Sequence, residues 1–151
     1  MVAMPKKKDK SSPAVRAEHG LAVLAETANG GLLWDTGPSG EILLHNWDAL
    51  GLANRAPQAI ALSHAHLDHT GGLATMLKRY PGLPVYAHAE LGQPRFSVRD
   101  SIYASGLILQ LEALAALAEL HLSGEPQEIL SGVTTTGTIA PRPYPTGGSP
   151  H

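Results

Sequence analysis

A chain of 151 residues can bury one well-formed core, and its length alone points to a single domain. Its formal charge of −2 argues against nucleic acid as a partner, since phosphate binding wants a basic face. With no cysteine there is neither a disulfide framework nor a thiolate ligand. No apolar run approaches the length of a membrane span, and the opening residues lack the apolar stretch of a secretory signal. No membrane association and a cytoplasmic location are expected.

The first segment, 1–17, carries Lys6-Lys7-Lys8-Asp9-Lys10 and reads as a disordered basic terminus, solvated rather than a nucleic-acid arm. Residues 20–27 and 31–35 are apolar runs on either side of Ala28-Asn29-Gly30. Asn-Gly is a strong turn signal, so a β-hairpin is expected. Residues 41–50 lie between Gly40 and Gly51 with Ile42, Leu43, His45, Trp47, Ala49 and Leu50, a pattern that suits a short helix ending at a glycine. Trp47 is expected to serve packing. The apolar run 59–62 then reads as a buried strand.

Directly after that strand come His64-Ala65-His66-Leu67-Asp68-His69-Thr70-Gly71-Gly72, three imidazoles and a carboxylate within six positions. Imidazole nitrogen and carboxylate oxygen are the donors that suit zinc, iron and manganese. Alternation along an extended backbone puts His64 and His66 on one side, where they can grip one ion together. Asp68 and His69 follow a turn and point differently, so they can reach a second ion. A lone histidine in a loop is usually a surface group. Four donors together favour a metal site.

Residues 72–80 read as the next helix, stopped by Pro81-Gly82, and amides at its start could favour an anion beside the metals. Residues 83–87 read as the following strand. A strand, loop, helix, strand order implies an α/β layer with ligands at one sheet edge. The span 106–120 predicts a helix with a broad apolar face, Leu107, Leu111, Leu114 and Ala118 on one stripe and Leu109, Ala113, Ala116 and Leu120 beside it. Left uncovered, that face would promote self-association. Residues 128–136 read as one or two short strands, and 140–151, rich in proline and glycine, as a loose tail with no packing pattern. There is no internal repeat.

His64, His66, Asp68 and His69, followed by Thr70-Gly71-Gly72, resemble the HxHxDH motif of the metallo-β-lactamase-fold hydrolases. Asp35, in Leu32-Leu33-Trp34-Asp35-Thr36-Gly37, resembles that fold's first acid. Leu43-Leu44-His45-Asn46, Glu18-His19-Gly20-Leu21, Val85-Tyr86-Ala87-His88, Gly132-Val133 and Thr136-Gly137-Thr138-Ile139 are similar to the subgroup of dihydropterin-methyl-ribofuranosylaminobenzene-phosphate synthases. Ala65 and Leu67 stand where that subgroup commonly has a glycine and an aromatic residue. The likeness runs from about residue 18 to 143. It implies an α/β (α+β layered) fold, the amino-terminal half of an αββα sandwich, with a partial domain over 18–139 and later ligands that have no matching motif here. It also implies two Zn²⁺ ions in a complete site, iron or manganese being possible occupants. Asp68 and Asp35 are the catalytic candidates it carries: Asp68 as a ligand that orients water, Asp35 as an acid that orients ligands.

Because the subgroup's substrate carries a phosphate, Arg95 and Arg99 are candidate anion contacts; His45 and His88 are further candidates for chemistry, His88 as a pocket residue or a partner of a ligand, with structural hydrogen bonding its alternative. His19, His121 and His151 have no constellation around them. Two functional readings follow. One is a metal-dependent hydrolase or group-transfer synthase acting on a small-molecule substrate. The other is a non-catalytic metal-binding remnant or partner-dependent fragment.

Overall fold

The computed structural model describes residues 14–98 and 100–139. Strands β1 (Val23–Thr27), β2 (Gly30–Trp34), β3 (Ala59–Ala61), β4 (Pro84–Ala87) and β7 (Glu119–Leu122) form one sheet in that spatial order. The first pair is antiparallel and closes through Ala28-Asn29, as the turn signal predicts; the remaining pairs are parallel. Two small hairpins accompany the sheet, β5 (Phe96–Val98) with β6 (Ile102–Ala104), and β8 (Glu128–Leu130) with β9 (Val133–Thr134).

Helix α1 (Gly40–Ala49) starts where Ser39 caps it, the hydroxyl accepting from the Ile42 amide at 3.3 Å. It ends at Leu50, and Gly51 follows at φ 76°, a left-handed conformation that glycine adopts without the Cβ penalty. Gly40 faces helix α3 (Leu73–Arg79), where a Cβ would overlap the Thr75 side chain. This close approach lets Leu43 and Trp47 of α1 join Leu73, Met76 and Leu77 of α3 over Leu33, Ile60 and Val85 of the sheet. Trp47 does serve packing. Its Nε1–H donates to the Tyr80 hydroxyl at 3.2 Å, which donates in turn to the Ala53 carbonyl at 3.0 Å.

The opposite sheet face carries Leu32, Ala59 and Ala61, and the β8–β9 hairpin covers them with Ile129, Leu130 and Val133. Farther along that face Val23 and Trp34, paired across β1 and β2, remain exposed. The layout positions the chemistry. Asp35, Ser63 and His88 each follow the carboxyl end of a parallel strand, so they collect at one sheet edge.

The helix expected over 106–120 does not form. Helix α4 is confined to Leu111–Ala115, and the residues after it become β7, paired with β4. The apolar stripe fits both readings, because Leu114 and Ala118 are buried while Leu107, Leu111, Leu117 and Leu120 pack against the same core. What decides is the unpaired edge of β4: pairing there satisfies backbone groups that a continuous helix would leave open. The face expected to promote self-association is thus folded largely inward. Exposed apolar side chains lie instead on the β5–β6 hairpin, which the sequence pattern did not predict, with Val98 and Ile102 paired next to its turn and Phe96 at its open end.

The short strands expected in 128–136 are present, and the expected helix over 72–80 begins at Leu73. The basic segment 1–13 and the tail 140–151 lie outside the described residues; residues 14–17 are exposed. No helix among the described residues is long and apolar enough to cross a membrane.

Candidate metal centre

Asp35 is the pivot of the site. It follows β2 at φ 56°, the only left-handed residue other than glycine among those described, a conformation an aspartate tolerates better than most. Its amide donates to the Ala61 carbonyl at 2.8 Å, and its side chain, 0% exposed, turns beneath the loop that follows β3. There Oδ1 accepts from the Ser63 amide at 2.8 Å, while Oδ2 accepts from the Ser63 hydroxyl and from His69 Nδ1, both at 2.7 Å. A buried carboxylate needs such donors, and here it has three.

These contacts set two histidine tautomers. An ionised carboxylate can only accept, so the His69 proton sits on Nδ1 and Nε2 keeps a free lone pair. The single Ser63 hydroxyl proton is committed to Asp35, so at 2.9 Å His64 Nδ1 must donate to Ser63 Oγ, which frees His64 Nε2 likewise. Burial, and after it the neighbouring His69 and His66, hold the His64 imidazole below its ordinary pKa, against the upward pull of Asp35 and Asp68. The neutral form is the one that ligates.

Residues Leu67–Thr70 form a single helical turn, α2, that carries Asp68 and His69. Its placement is fixed from below: the Thr36 amide and hydroxyl donate to the His69 carbonyl at 2.7 and 2.9 Å. The two glycines that follow allow the close fit. A Cβ on Gly71 would overlap the Pro38 carbonyl, and one on Gly72 the Thr36 carbonyl. The Gly72 amide donates to the Gly37 carbonyl at 3.1 Å, and Leu73 at the start of α3 is fully buried.

With the loop held this way, one donor atom each from His64, Asp68 and His69 lies within 4.8 Å of the others. His69 Nε2 is 3.7 Å from Asp68 Oδ2. Two imidazoles and a carboxylate at such separations suit a divalent ion of the zinc, iron or manganese type. The pairing of His64 with His66 rested on strand alternation, but β3 ends at Ala61 and the rule does not extend past it. His66 caps α2 and is exposed, and its ring still stands edge-on beside that of His64 with centroids 4.7 Å apart.

His64 and His66 open onto a cleft of about 800 Å³ whose far wall includes Trp34, His88, Arg95 and Thr138. His88 is structural as well as lining: its Nδ1 accepts from the Glu90 amide at 3.2 Å, and its Nε2–H donates to the Thr138 hydroxyl at 2.8 Å. Arg95 is 3.4 Å from Glu90, which offsets its charge. His45 donates to the Ala14 carbonyl at 2.9 Å and does not line the cleft, and His121 stacks on Tyr86 beside Glu119. Arg99 and His151 lie outside the described residues. Two residues escaped the sequence reading. Ser63 is one, signalled only by its place before the motif; His19 is the other, 3.4 Å from Asp68 although 49 positions away in sequence.

Comparison with known proteins places the chain in a family. The model of the metallo-beta-lactamase superfamily matches residues 15–151. The chain is 29% identical over 131 residues to the 7,8-dihydropterin-6-methyl-4-(beta-D-ribofuranosyl)-aminobenzene-5'-phosphate synthase of Methanocaldococcus jannaschii, a match covering 82% of this chain and 45% of that protein. It is 36% identical over 80 residues to the hydroxyacylglutathione hydrolase of Pectobacterium carotovorum, covering 53% of this chain and 30% of the relative. Among solved structures, a metallo-beta-lactamase with a HARLDQ motif from Cronobacter sakazakii superposes with a TM-score of 0.50 at 25% identity, over 75% of this chain and 41% of that one. The chain thus spans less than half the length of these relatives. On the family match and the fold together, it belongs to the metallo-beta-lactamase superfamily.

Proposed function

We propose that this chain carries the metal-binding loop of a hydrolase, with His64, His66, Asp68 and His69 as ligands for divalent ions, zinc first among them and two in a complete site. The observation that carries the reading is the convergence of His64, Asp68 and His69 above a buried acid that frees both Nε2 atoms for ligation. When bound, a divalent ion there supplies Lewis acidity, drawing charge from a substrate oxygen and acidifying water.

The chain's own residues do the rest. Asp35 keeps the His69 proton on Nδ1, and Ser63 relays that order to His64. The Asp68 carboxylate, one-third exposed at the mouth of the loop, orients the attacking water by accepting its hydrogen bond. The cleft beside His64 and His66 receives a small-molecule substrate, and an anionic group such as a phosphate would have to compete with Glu90 for Arg95 in its wall.

A second reading, group transfer by a synthase, is favoured by the reach of the likeness to the Methanocaldococcus jannaschii protein, 131 residues against 80 for the hydroxyacylglutathione hydrolase. The test of the shared premise is metal content. Purified protein should hold Zn²⁺, and a His64→Ala, Asp68→Ala double variant should not; equal content in the two would overturn the assignment. Hydrolysis of a thioester, lactone or phosphodiester by the metal-loaded protein separates the hydrolase from the synthase, and a metal-loaded protein inert toward all three would favour the latter.

A further inference from the structure

The segment before β1 lies against the metal loop and is tied down on both sides of His19. On one side the Glu18 carboxylate accepts from the Ser39 hydroxyl at 2.8 Å and, at 3.4 Å, from the Ser39 amide, which anchors it to the start of α1. On the other side the Leu21 amide donates to the Asp68 carbonyl at 3.2 Å, and the Leu21 carbonyl accepts from the Gly37 amide at 2.8 Å. Between them Gly20 sits at φ 131° with no room for a Cβ, which would overlap the Asp68 carbonyl oxygen and the Pro38 ring. A side chain other than glycine would lift the strap away from the loop.

The consequence is local and chemical. His19 Nε2 comes to 3.4 Å from Asp68 Oδ2, although the imidazole itself is 94% exposed and has no packing reason to be there. It is not among the donors that converge within 4.8 Å, so it meets the Asp68 carboxylate from outside that cluster, while His69 Nε2 stands 3.7 Å from the same oxygen. Carboxylates that ligate metals are commonly held by a further donor, and loss of that donor costs about 10- to 100-fold in metal affinity.

We propose that His19 is a positioning residue of the metal centre, holding the Asp68 carboxylate in its ligating orientation from the strap that precedes β1. The inference rests on the metal reading above, and its test distinguishes the two. Metal-free full chain would be titrated with Co²⁺, reading both affinity and the visible ligand-field absorption, for the wild type, His19→Ala and His19→Gln. Alanine should weaken Co²⁺ binding about tenfold or more and alter the ligand-field bands, whereas glutamine, whose amide nitrogen falls near the place of Nε2, should recover part of the affinity. Thermal unfolding of the metal-free variants should match the wild type, because the side chain is exposed. Unchanged affinity and spectrum in His19→Ala would overturn the inference while leaving the metal site standing. Equal losses with alanine and glutamine would overturn it too, since the donor would then not be what matters. A wild type that binds no Co²⁺ would remove the metal reading itself and the inference with it.

Discussion

Asp35 Oδ2 lies 2.7 Å from His69 Nδ1, and the two residues are 34 positions apart, one directly after β2 and the other on α2. The pair commits the His69 proton to the protein side and turns Nε2 toward Asp68. An Asp35→Asn variant keeps the shape but presents an amide, which can offer a proton to Nδ1 and so invert the tautomer. Zn²⁺ affinity should fall about 10- to 100-fold, as for other partners of ligating histidines. Asp35→Ala should also leave the Ser63 amide unpaired and lower stability by about 2–4 kcal/mol. Calorimetric Zn²⁺ titration and denaturant unfolding measure the two effects separately, and an asparagine variant with unchanged affinity would count against the tautomer argument.

Ser63 offers an independent check on the same proton arrangement. Its hydroxyl joins Asp35 to His64, at 2.7 and 2.9 Å, so Ser63→Ala releases the His64 ring without touching a metal donor. Zn²⁺ affinity should fall about tenfold, with stability down by about 1 kcal/mol for the lost hydrogen bond. Ser63→Thr, which retains the hydroxyl, should lie closer to the wild type.

Gly71 and Gly72 make a prediction about folding alone. Each packs against a carbonyl of the Thr36 to Pro38 segment where a methyl group has no space. Gly71→Ala and Gly72→Ala should each destabilise by about 1–3 kcal/mol, the usual cost of forcing bulk into a filled site. Gly51 stands in open space, so Gly51→Ala there carries only the strain of its positive φ, about 1 kcal/mol, and urea midpoints should rank accordingly.

Legibility in the sequence followed the range of the interactions involved. The β1–β2 hairpin, α1, β3 and the motif were readable because turn chemistry, caps and donor crowding are written in neighbouring residues. Asp35 was reached through resemblance, and its role as a clamp on His69 depends on a contact between the end of β2 and α2 that periodicity cannot show. Ser63 and His19 were missed for the same reason. The span 106–120 misled because a leucine-rich stripe suits a helix face and a sheet edge alike, and only the free edge of β4 decides between them.

That last point is itself testable. In the structure Leu114 is fully buried while Ile108 is 71% exposed. Leu114→Ala should cost about 2–5 kcal/mol, and Ile108→Ala less than about 0.5 kcal/mol. A long helix packed along its whole apolar stripe would instead spread the cost over Leu107, Leu111 and Leu114, so comparable losses at all three would contradict the short α4.

Asp68 carries the prediction that separates binding from chemistry. Its carboxylate is one of the three convergent donors, it stands between His69 and His19, and at one-third exposure it remains open to water. Asp68→Asn preserves the side-chain shape and the backbone contacts of α2, including the amide of Leu21 on the Asp68 carbonyl, so the fold should be unchanged by circular dichroism and thermal unfolding. The substitution replaces a charged donor atom by a neutral amide oxygen, a weaker ligand and, on the proposed role, a weaker acceptor for the attacking water. Where the metal-loaded protein hydrolyses a substrate, turnover should therefore fall by orders of magnitude in kcat, with KM altered far less, because the missing interaction belongs to the reacting atoms. Supplying Zn²⁺, Mn²⁺ or Fe²⁺ in excess restores occupancy without restoring the carboxylate charge, so rate should not recover even at saturation. Full recovery of turnover at saturating metal would reduce Asp68 to a ligand alone, and the proposed role in orienting water would be wrong.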